Sequence, residues 1–302
     1  MDGLILDETK LKNTVYHIIT SEVKNTHLSE LILSFFNSRK RFLFGQLTFM
    51  HYHIFGGKRE DVYHLVSAIE LVTLAIDIFD DLEDLDNYEE PWMQVKHSIS
   101  LNAASLLLTI SQKIVYRLSN EWNTQLLNIY QDYLIEAAEG QHEDLLDWQA
   151  FEETCLLTIK MKSGALTALA SACGSMLASK RVDLQVEKYA YQIGIAAQLD
   201  NDLNDLFSSQ KTDSKIIDKN TLASIFLRTS TNPFAKKLLA NIKKGNFTYT
   251  EEYKQLLLKS GVVAYLSILK QTAIQMAITH MDELDLPRDH IEILKDHLIY
   301  FK

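Results

Sequence analysis

Residues that break helices are scarce in this chain of 302 residues. It contains three prolines and ten glycines, and no stretch rich in proline, glycine or serine separates one part of the chain from another. Proline and glycine are the residues least compatible with a helix interior, so their scarcity favours long helices. Because no linker is visible, we predict a single all-α domain over residues 1–302.

Cysteine, positive charge and long apolar runs are also in short supply. The two cysteines, Cys155 and Cys173, lack the spacing of a metal or redox motif and are expected to be free thiols in a reducing cytosol. A formal net charge of −10 argues against binding to nucleic acid. The first ten residues lack the pattern of a signal peptide, and the uncharged stretch 163–179 is too short for a typical membrane span. We therefore predict a cytoplasmic protein in which this stretch is a buried helix.

Apolar periodicity predicts a succession of helices along the chain. Arg39, Lys40 and Arg41 are expected to open the third helix, either with a phosphate that offsets their charge or as a solvated basic turn. The polar loop Ser208–Lys215 is a candidate lid over a site. The predicted helices cover residues 7–21, 28–37, 39–55, 61–86, 97–118, 122–148, 152–179, 184–207, 233–243, 250–258, 261–282 and 287–300.

A first acidic cluster, Asp80, Asp81 and Asp84, ends the apolar helix 61–86. Asp80 and Asp84 are four residues apart, so they share one face of a helix and repel each other unless a cation lies between them. Oxygen ligands from one or two carboxylates, completed by water and a substrate phosphate, are what Mg²⁺ prefers. Taken alone, this cluster is equally compatible with a solvated acidic helix end.

A second acidic cluster, Asn201, Asp202 and Asp205, has the same one-turn spacing near the end of the helix 184–207. Asp200 falls about 100° from Asn201 around the helix, so it need not belong to the same face. Two such helices can face each other across a bundle and hold metal between their acidic clusters. The pair of clusters favours a metal site over a solvated surface.

Five segments, in this order along the chain, resemble the motifs of the trans-isoprenyl diphosphate synthases, which include farnesyl and geranylgeranyl diphosphate synthases. The second acidic cluster departs from the family pattern, because Asn201 replaces the leading aspartate. The segments are Ala68-Ile69-Glu70-Leu71 before the first cluster, Gly140-Gln141-x-x-Asp144-Leu145, Lys162-Ser163-Gly164-Ala165-Leu166, Gly194-x-x-x-Gln198-x-x-Asn201-Asp202-x-x-Asp205, and Lys219-x-Thr221-Leu222.

The resemblance implies a helical bundle with a central cavity between the two Asp-bearing helices. It also implies two or three Mg²⁺ ions and a farnesyl or geranyl diphosphate as the donor. Ala75 and Ile76, one turn before Asp80, would form the floor under the prenyl tail. The implied metal ligands are Asp80, Asp81, Asp84, Asn201, Asp202 and Asp205. The implied catalytic residues are Asp80, Asp84, Lys162, Gln198 and Lys219, and Gln141, Asp144 and Ser163 would contact substrate.

The departures from the family concern the second substrate. Elongating synthases follow the first cluster with Arg-Arg-Gly, which binds isopentenyl diphosphate, whereas this chain has Glu89, Glu90 and Pro91. Two carboxylates repel the diphosphate that two guanidinium groups would bind. The basic segment around Arg39 also lacks the later Arg-Pro of the family. We expect Glu89 and Glu90 to lie at the acceptor site.

This pattern resembles a branch of the family that modifies a tryptophan of a peptide pheromone precursor in bacterial quorum sensing and competence. Its reaction would move a farnesyl or geranyl group from the diphosphate to that tryptophan. Two alternatives stay open: a short-chain polyprenyl diphosphate synthase that uses isopentenyl diphosphate, and a catalytically inactive helical subunit of a partner synthase. A homodimer and a peripheral contact with the inner face of the cell membrane also stay open.

Overall fold

The described part of the chain is helical throughout. The structure, a computed structural model, describes residues 4–122, 125–147, 150–207, 220–243 and 250–299. Apart from connections, one 3₁₀ turn (Pro91–Met93) and one π turn (Lys160–Gly164), these residues form fourteen α-helices and no strand. The predicted all-α class is confirmed.

The helices follow the chain in order. The first nine are α1 (Glu8–Glu22), α2 (Thr26–Ser38), α3 (Leu43–Ile54), α4 (Val62–Asp84), α5 (His97–Trp122), α6 (Leu126–Leu146), α7 (Glu152–Ile159), α8 (Ala165–Ser179) and α9 (Leu184–Leu206). The last five are α10 (Leu222–Thr229), α11 (Pro233–Lys243), α12 (Glu251–Ser260), α13 (Val262–Asp282) and α14 (Arg288–Ile299).

The contacts divide the chain into two compact units. Unit 1 comprises Met1–Ile135 and Leu166–Glu187, and unit 2 comprises Glu136–Ala165 and Lys188–Lys302. This division does not test the expectation of one domain over residues 1–302, which stays a prediction.

Helix α4 is the centre of unit 1. Every residue from Leu65 to Ala75 is buried, and α4 packs against α1, α3 and α5. Each leucine or isoleucine that is fully buried there stabilises the fold by about 1.5–3 kcal/mol. The buried body of α4 therefore fixes the position of the acidic residues at its end.

Among the residues that the structure describes, three helices are long and apolar enough to cross a membrane by length and composition. The buried share of the most apolar window is 78% in α4, 44% in α5 and 22% in α13. The apolar surface of α4 is thus mostly used inside the protein.

The core of unit 2 is built from α7 and α9 to α13. Leu199, Leu222, Leu257 and Leu266 are fully buried in it. Gly261, with φ of +89°, ends α12 and begins α13. Residues other than glycine rarely adopt a positive φ, so the change of direction between the two helices favours glycine at this position.

The third helix begins later than predicted. Arg39, Lys40 and Arg41 precede α3, which starts at Leu43, and Arg39 instead caps the end of α2. The Arg39 side chain turns to carboxylates on α4. A cation at the start of a helix is repelled by the positive end of the helix dipole. The carboxylates of α4 attract Arg39 instead.

The predicted helix 152–179 is interrupted, and one helix was missed. The π turn Lys160–Gly164 separates α7 from α8. Helix α10 follows Thr221, whose side chain accepts a hydrogen bond from the Ser224 backbone and so caps the helix. The other predicted bounds lie within four residues of those observed.

His51 provides a test of the packing in unit 1. It is fully buried on α3, its Nδ1 donates to the Leu47 carbonyl at 2.7 Å, and burial lowers its pKa to about 4. The unfolded chain therefore binds more protons than the folded chain between pH 6.5 and 4. The free energy of unfolding should fall as pH drops through this window, by about 3 kcal/mol from this group. Urea unfolding of His51→Gln should show a shallower pH dependence, whereas His17→Gln, at an exposed histidine, should not.

Candidate functional site

Asp80 and Asp84 occupy the last turn of α4. Both side chains are partly exposed, and the helix ends at Asp84 because Leu85 takes a left-handed conformation. The C-terminus of a helix carries a partial negative charge, so two carboxylates one turn apart repel both the helix end and each other. A cation at this point would relieve both repulsions.

Asp81 has a different environment from Asp80 and Asp84. It is buried, and its two carboxylate oxygens accept hydrogen bonds from Asn87 Nδ2 and Trp92 Nε1, each at 2.6 Å. Burial raises the pKa of Asp81 to about 6, against the effect of these two donors. Asp81 thus anchors the loop that follows α4. Its predicted role as a metal ligand stays a prediction, which these contacts do not support.

A cavity of about 380 Å³ in unit 1, named here the Arg39 cavity, opens beside this helix end. Glu90 lines it, whereas its neighbour Glu89 is exposed and is not among the lining residues. The structure thereby separates two glutamates that the sequence analysis treated together. The lining residues are Ser38, Arg39, Lys40, Arg41, Asp77, Asp80, Asp81, Asn87, Glu90 and Trp92.

Arg39 is held by side chains of α4. Its Nη1 donates at 3.0 Å to the Glu70 carboxylate, the Glu70 carbonyl and the Thr73 hydroxyl, and its Nη2 donates at 2.7 Å to Asp77. Burial raises the pKa of Glu70, and the Arg39 guanidinium opposes that rise. No local sequence pattern indicates this cluster, because its members are 31 to 38 residues from Arg39 along the chain.

Lys162 lies in the π turn of unit 2. Its Nζ is 3.0 Å from the Asp144 carboxylate on α6, and both side chains are about two-thirds buried or more. Gly140, one turn before Asp144, packs directly on the Lys162 backbone, where an added Cβ would collide with the amide nitrogen. π turns recur at functional sites because they shift the direction of a side chain. The predicted Lys162 and Asp144 are therefore brought together.

Ser163, Gln198 and Asp202 form a hydrogen-bonded chain. Ser163 Oγ donates to Gln198 Oε1 at 3.0 Å, and Gln198 Nε2 donates to Asp202 Oδ1 at 2.9 Å. This chain sets the orientation of the Gln198 amide and of the Asp202 carboxylate. Asp205 is partly exposed, Asn201 is exposed, and Asp200, as expected from its angle, lies apart in an ion pair with Lys270.

These residues border a small cavity of about 80 Å³, named here the Lys162 cavity. Burial raises the pKa of Cys155, one of its walls, to about 12, so that thiol stays protonated. The lining residues are Asp144, Asp147, Cys155, Thr158, Ile159, Lys162, Ser163, Gln198, Asp202, Asn220, Thr221 and Leu222.

Asn220 was missed by the sequence analysis. Its backbone N–H donates to Asp147 Oδ1 at 2.6 Å, its side chain donates to the Asp147 carbonyl, and Arg228 donates to its Oδ1. These bonds attach the start of α10 to the end of α6. An asparagine just before a threonine cap was the available signal.

The remaining predicted residues are not tested by this geometry. Lys219 and the candidate lid Ser208–Lys215 lie outside the described residues. Gln141 is partly buried on α6, Ala75 is fully buried on α4, and Ile76 is partly exposed. Their roles toward substrate stay predictions.

The carboxylates of the two acidic clusters suit Mg²⁺ that is bound together with a phosphate. Across the described ranges, no three His, Cys, Asp or Glu side chains form a metal site by themselves. Mg²⁺ usually takes one or two carboxylates and completes its shell with water and substrate phosphates, rather than filling an all-protein cage. Asp80 and Asp84 in unit 1, and Asp202 in unit 2, each suit that mode.

Comparison with known proteins gives consistent results. The polyprenyl synthetase family matches residues 25–260. The chain is 34% identical over 290 residues to the tryptophan prenyltransferase ComQ of Bacillus subtilis (strain 168), covering 94% of this chain and 96% of that protein. It is also 34% identical over 275 residues to the tryptophan prenyltransferase ComQ of Bacillus spizizenii, covering 89% and 98%.

A similar fold occurs in solved structures. The polyprenyl synthase of Caulobacter crescentus CB15, complexed with calcium and isoprenyl diphosphate, superimposes with a TM-score of 0.80. The alignment covers 99% of this chain and 97% of the other, at 18% identity. The shared architecture is that of the isoprenyl synthases, as predicted.

The contact at Gly140 makes a prediction about the π turn. Glycine-to-alanine replacement in an open helix stabilises it by up to about 1 kcal/mol. At Gly140 the sign should reverse, because the new Cβ displaces the Lys162 backbone, and overpacking of this kind costs about 1–3 kcal/mol. Urea unfolding of Gly140→Ala measures the effect. Ala138→Gly, at an exposed position of the same helix, is the control and should cost no more than about 1 kcal/mol. A stabilised Gly140→Ala protein would contradict the contact.

Proposed function

The chain belongs to the polyprenyl synthetase family, and we propose that it transfers a farnesyl or geranyl group from its diphosphate to a tryptophan of a peptide pheromone precursor. The observation that carries this proposal is the near-complete overlap with two tryptophan prenyltransferases at 34% identity. The position of Glu90 in the Arg39 cavity supports it, since this carboxylate opposes an acceptor that carries a diphosphate.

The residues for the donor are distributed over both acidic clusters. Asp80 and Asp84 would hold Mg²⁺ in unit 1, and Asp202 would hold Mg²⁺ in unit 2; two or three ions are expected in all. When bound, Mg²⁺ offsets the charge that develops on the leaving diphosphate. Lys162, oriented by Asp144, would donate hydrogen bonds to diphosphate oxygens, and Gln198 and Lys219 would add to this binding.

The acceptor chemistry suits a pocket without strong cations. The bond between the allylic carbon and the diphosphate oxygen breaks, and its electron pair leaves with the diphosphate. The indole C3 then supplies two π electrons to form the new carbon–carbon bond, which leaves the indole C2 electrophilic. The main-chain nitrogen of the tryptophan adds to C2 to close a ring, and its N–H proton passes to water or to the released diphosphate. An indole carries no charge, so its recognition needs shape and apolar contact rather than guanidinium groups.

The proposal includes the wider setting. The enzyme would act in the cytoplasm, in pheromone maturation for quorum sensing and competence. A homodimer stays a prediction, and peripheral contact with a membrane forms no part of the proposal.

The purified chain with Mg²⁺ and farnesyl diphosphate provides the test. A tryptophan-containing precursor peptide should be prenylated, as seen by mass spectrometry, whereas the same peptide with phenylalanine should not. When isopentenyl diphosphate replaces the peptide, no prenyl diphosphate of greater chain length than the donor should form. Elongation would instead establish a short-chain synthase, and no product from either acceptor would favour an inactive subunit.

The same assay tests the first acidic cluster. Asp80→Asn combined with Asp84→Asn should abolish transfer, while the free energy of unfolding without Mg²⁺ should stay equal or rise by a few tenths of a kcal/mol, because a repulsion is removed. Glu83→Gln, an exposed carboxylate on the same helical turn, should keep activity. Full transfer by the double variant would exclude these aspartates from the reaction.

Glu90 and Glu89 can be tested against each other. If Glu90 faces the acceptor, Glu90→Arg should raise the KM for a precursor peptide that carries basic residues near its tryptophan. The increase should reach up to about fivefold, because one partly exposed ion pair contributes up to about 1 kcal/mol. Glu89→Arg makes the same charge change outside the lining of the cavity and should have a smaller effect. Equal effects of the two replacements would show that only the general charge of the loop matters.

A further inference from the structure

The three cations at the Arg39 cavity differ in depth. Lys40 and Arg41 are exposed, whereas the Arg39 side chain is only 12% exposed. An exposed ion pair is weak because water screens it, while a charge that is mostly buried interacts more strongly with a bound anion. Of the three cations, Arg39 would therefore contribute most to the binding of an anionic ligand.

The partners of Arg39 follow one stripe of α4. Glu70, Thr73 and Asp77 are three and four residues apart, so they lie one above the other on the same helix face, and Asp80 continues that stripe. Side-chain oxygens of all three accept hydrogen bonds from the Arg39 guanidinium at 2.7–3.0 Å. These hydrogen bonds hold the Arg39 guanidinium against two helical turns of α4.

The ion pairs also remove the positive charge of Arg39 from the cavity. One guanidinium faces two carboxyl groups, so the cluster contributes no net positive charge to a ligand. Glu70 is fully buried and also accepts a hydrogen bond from the Gly45 backbone, which makes it part of the packing. The Asp77 side chain is 46% exposed and lines the cavity, so it is the member that a ligand would meet.

We propose that Asp77, together with Glu70, determines acceptor specificity by holding Arg39 as a structural cation, which weakens the binding of an acceptor that carries a diphosphate in the Arg39 cavity. This inference rests on the proposed prenyl transfer to an uncharged acceptor. It assigns the exclusion of a diphosphate to residues that precede the first acidic cluster, in addition to Glu90. Asp77 acts through Arg39 and is a positioning residue.

The experiment measures binding of isopentenyl diphosphate to the full chain by equilibrium dialysis. Mg²⁺ is present, and the donor site is filled with a thio analogue of farnesyl diphosphate that does not ionise. Asp77→Asn keeps the size and an acceptor oxygen of the side chain but removes its charge. Glu89→Gln removes one charge from the neighbouring loop without touching Arg39 and is the matched control. A double variant, Asp77→Asn with Arg39→Gln, asks whether any new affinity depends on Arg39.

The expected result is a Kd for isopentenyl diphosphate about tenfold lower in Asp77→Asn than in the wild type. Glu89→Gln should change it by less than about twofold, and the double variant should return to the wild-type value. An unchanged Kd in Asp77→Asn, an equal gain in Glu89→Gln, or a gain that persists without Arg39 would each overturn the inference.

Two further outcomes of the experiment also have a defined meaning. If the double variant does not fold, as judged by circular dichroism, the comparison of Asp77→Asn with Glu89→Gln decides the outcome. Failure of the thio analogue to bind the wild-type chain would contradict the proposed function itself. Binding of the analogue with no gain in Asp77→Asn would contradict only the role of Asp77.

Discussion

Repulsion between negative charges at the end of a buried helix is the constraint from which the chemistry of unit 1 follows. Helix α4 is buried from Leu65 to Ala75, so packing fixes the position of its last turn. Asp80 and Asp84 therefore remain one turn apart at the negative end of the helix dipole. The apolar part of the helix provides the energy that keeps this arrangement in the apoprotein, and a bound cation would remove its cost.

The same helix carries a second buried charge, Glu70, ten residues before Asp80. Burial of Glu70 would be unfavourable by itself, and Arg39 and the Gly45 amide compensate it. A buried carboxylate with these partners secures the turn between α2 and α3. Its cation is then no longer available to a ligand, so one ion pair both stabilises unit 1 and changes the chemistry of the cavity beside it.

The sequence predicted the parts that depend on local spacing. Helix positions and the two acidic clusters follow from periodicities of three and four residues. Lys162 and Asp144 were each predicted from a motif, without their contact. Contacts between distant segments were not accessible, because nothing in the spacing relates Arg39 to Asp77 or Trp92 to Asp81. The π turn was missed for the same reason: it depends on Gly140 approaching from another helix.

Asp81 illustrates how residues of one motif can lie in different environments. The pattern D-D-x-x-D suggests three equivalent ligands, yet successive residues on a helix point about 100° apart. Asp81 is directed away from the face of Asp80 and Asp84 and anchors the loop that carries Glu90 and Trp92. The loop that borders the Arg39 cavity is thus attached to α4 by a carboxylate of the same motif. A change of acceptor could then arise in the loop while α4 kept its place, because the anchor and the proposed ligands are different residues.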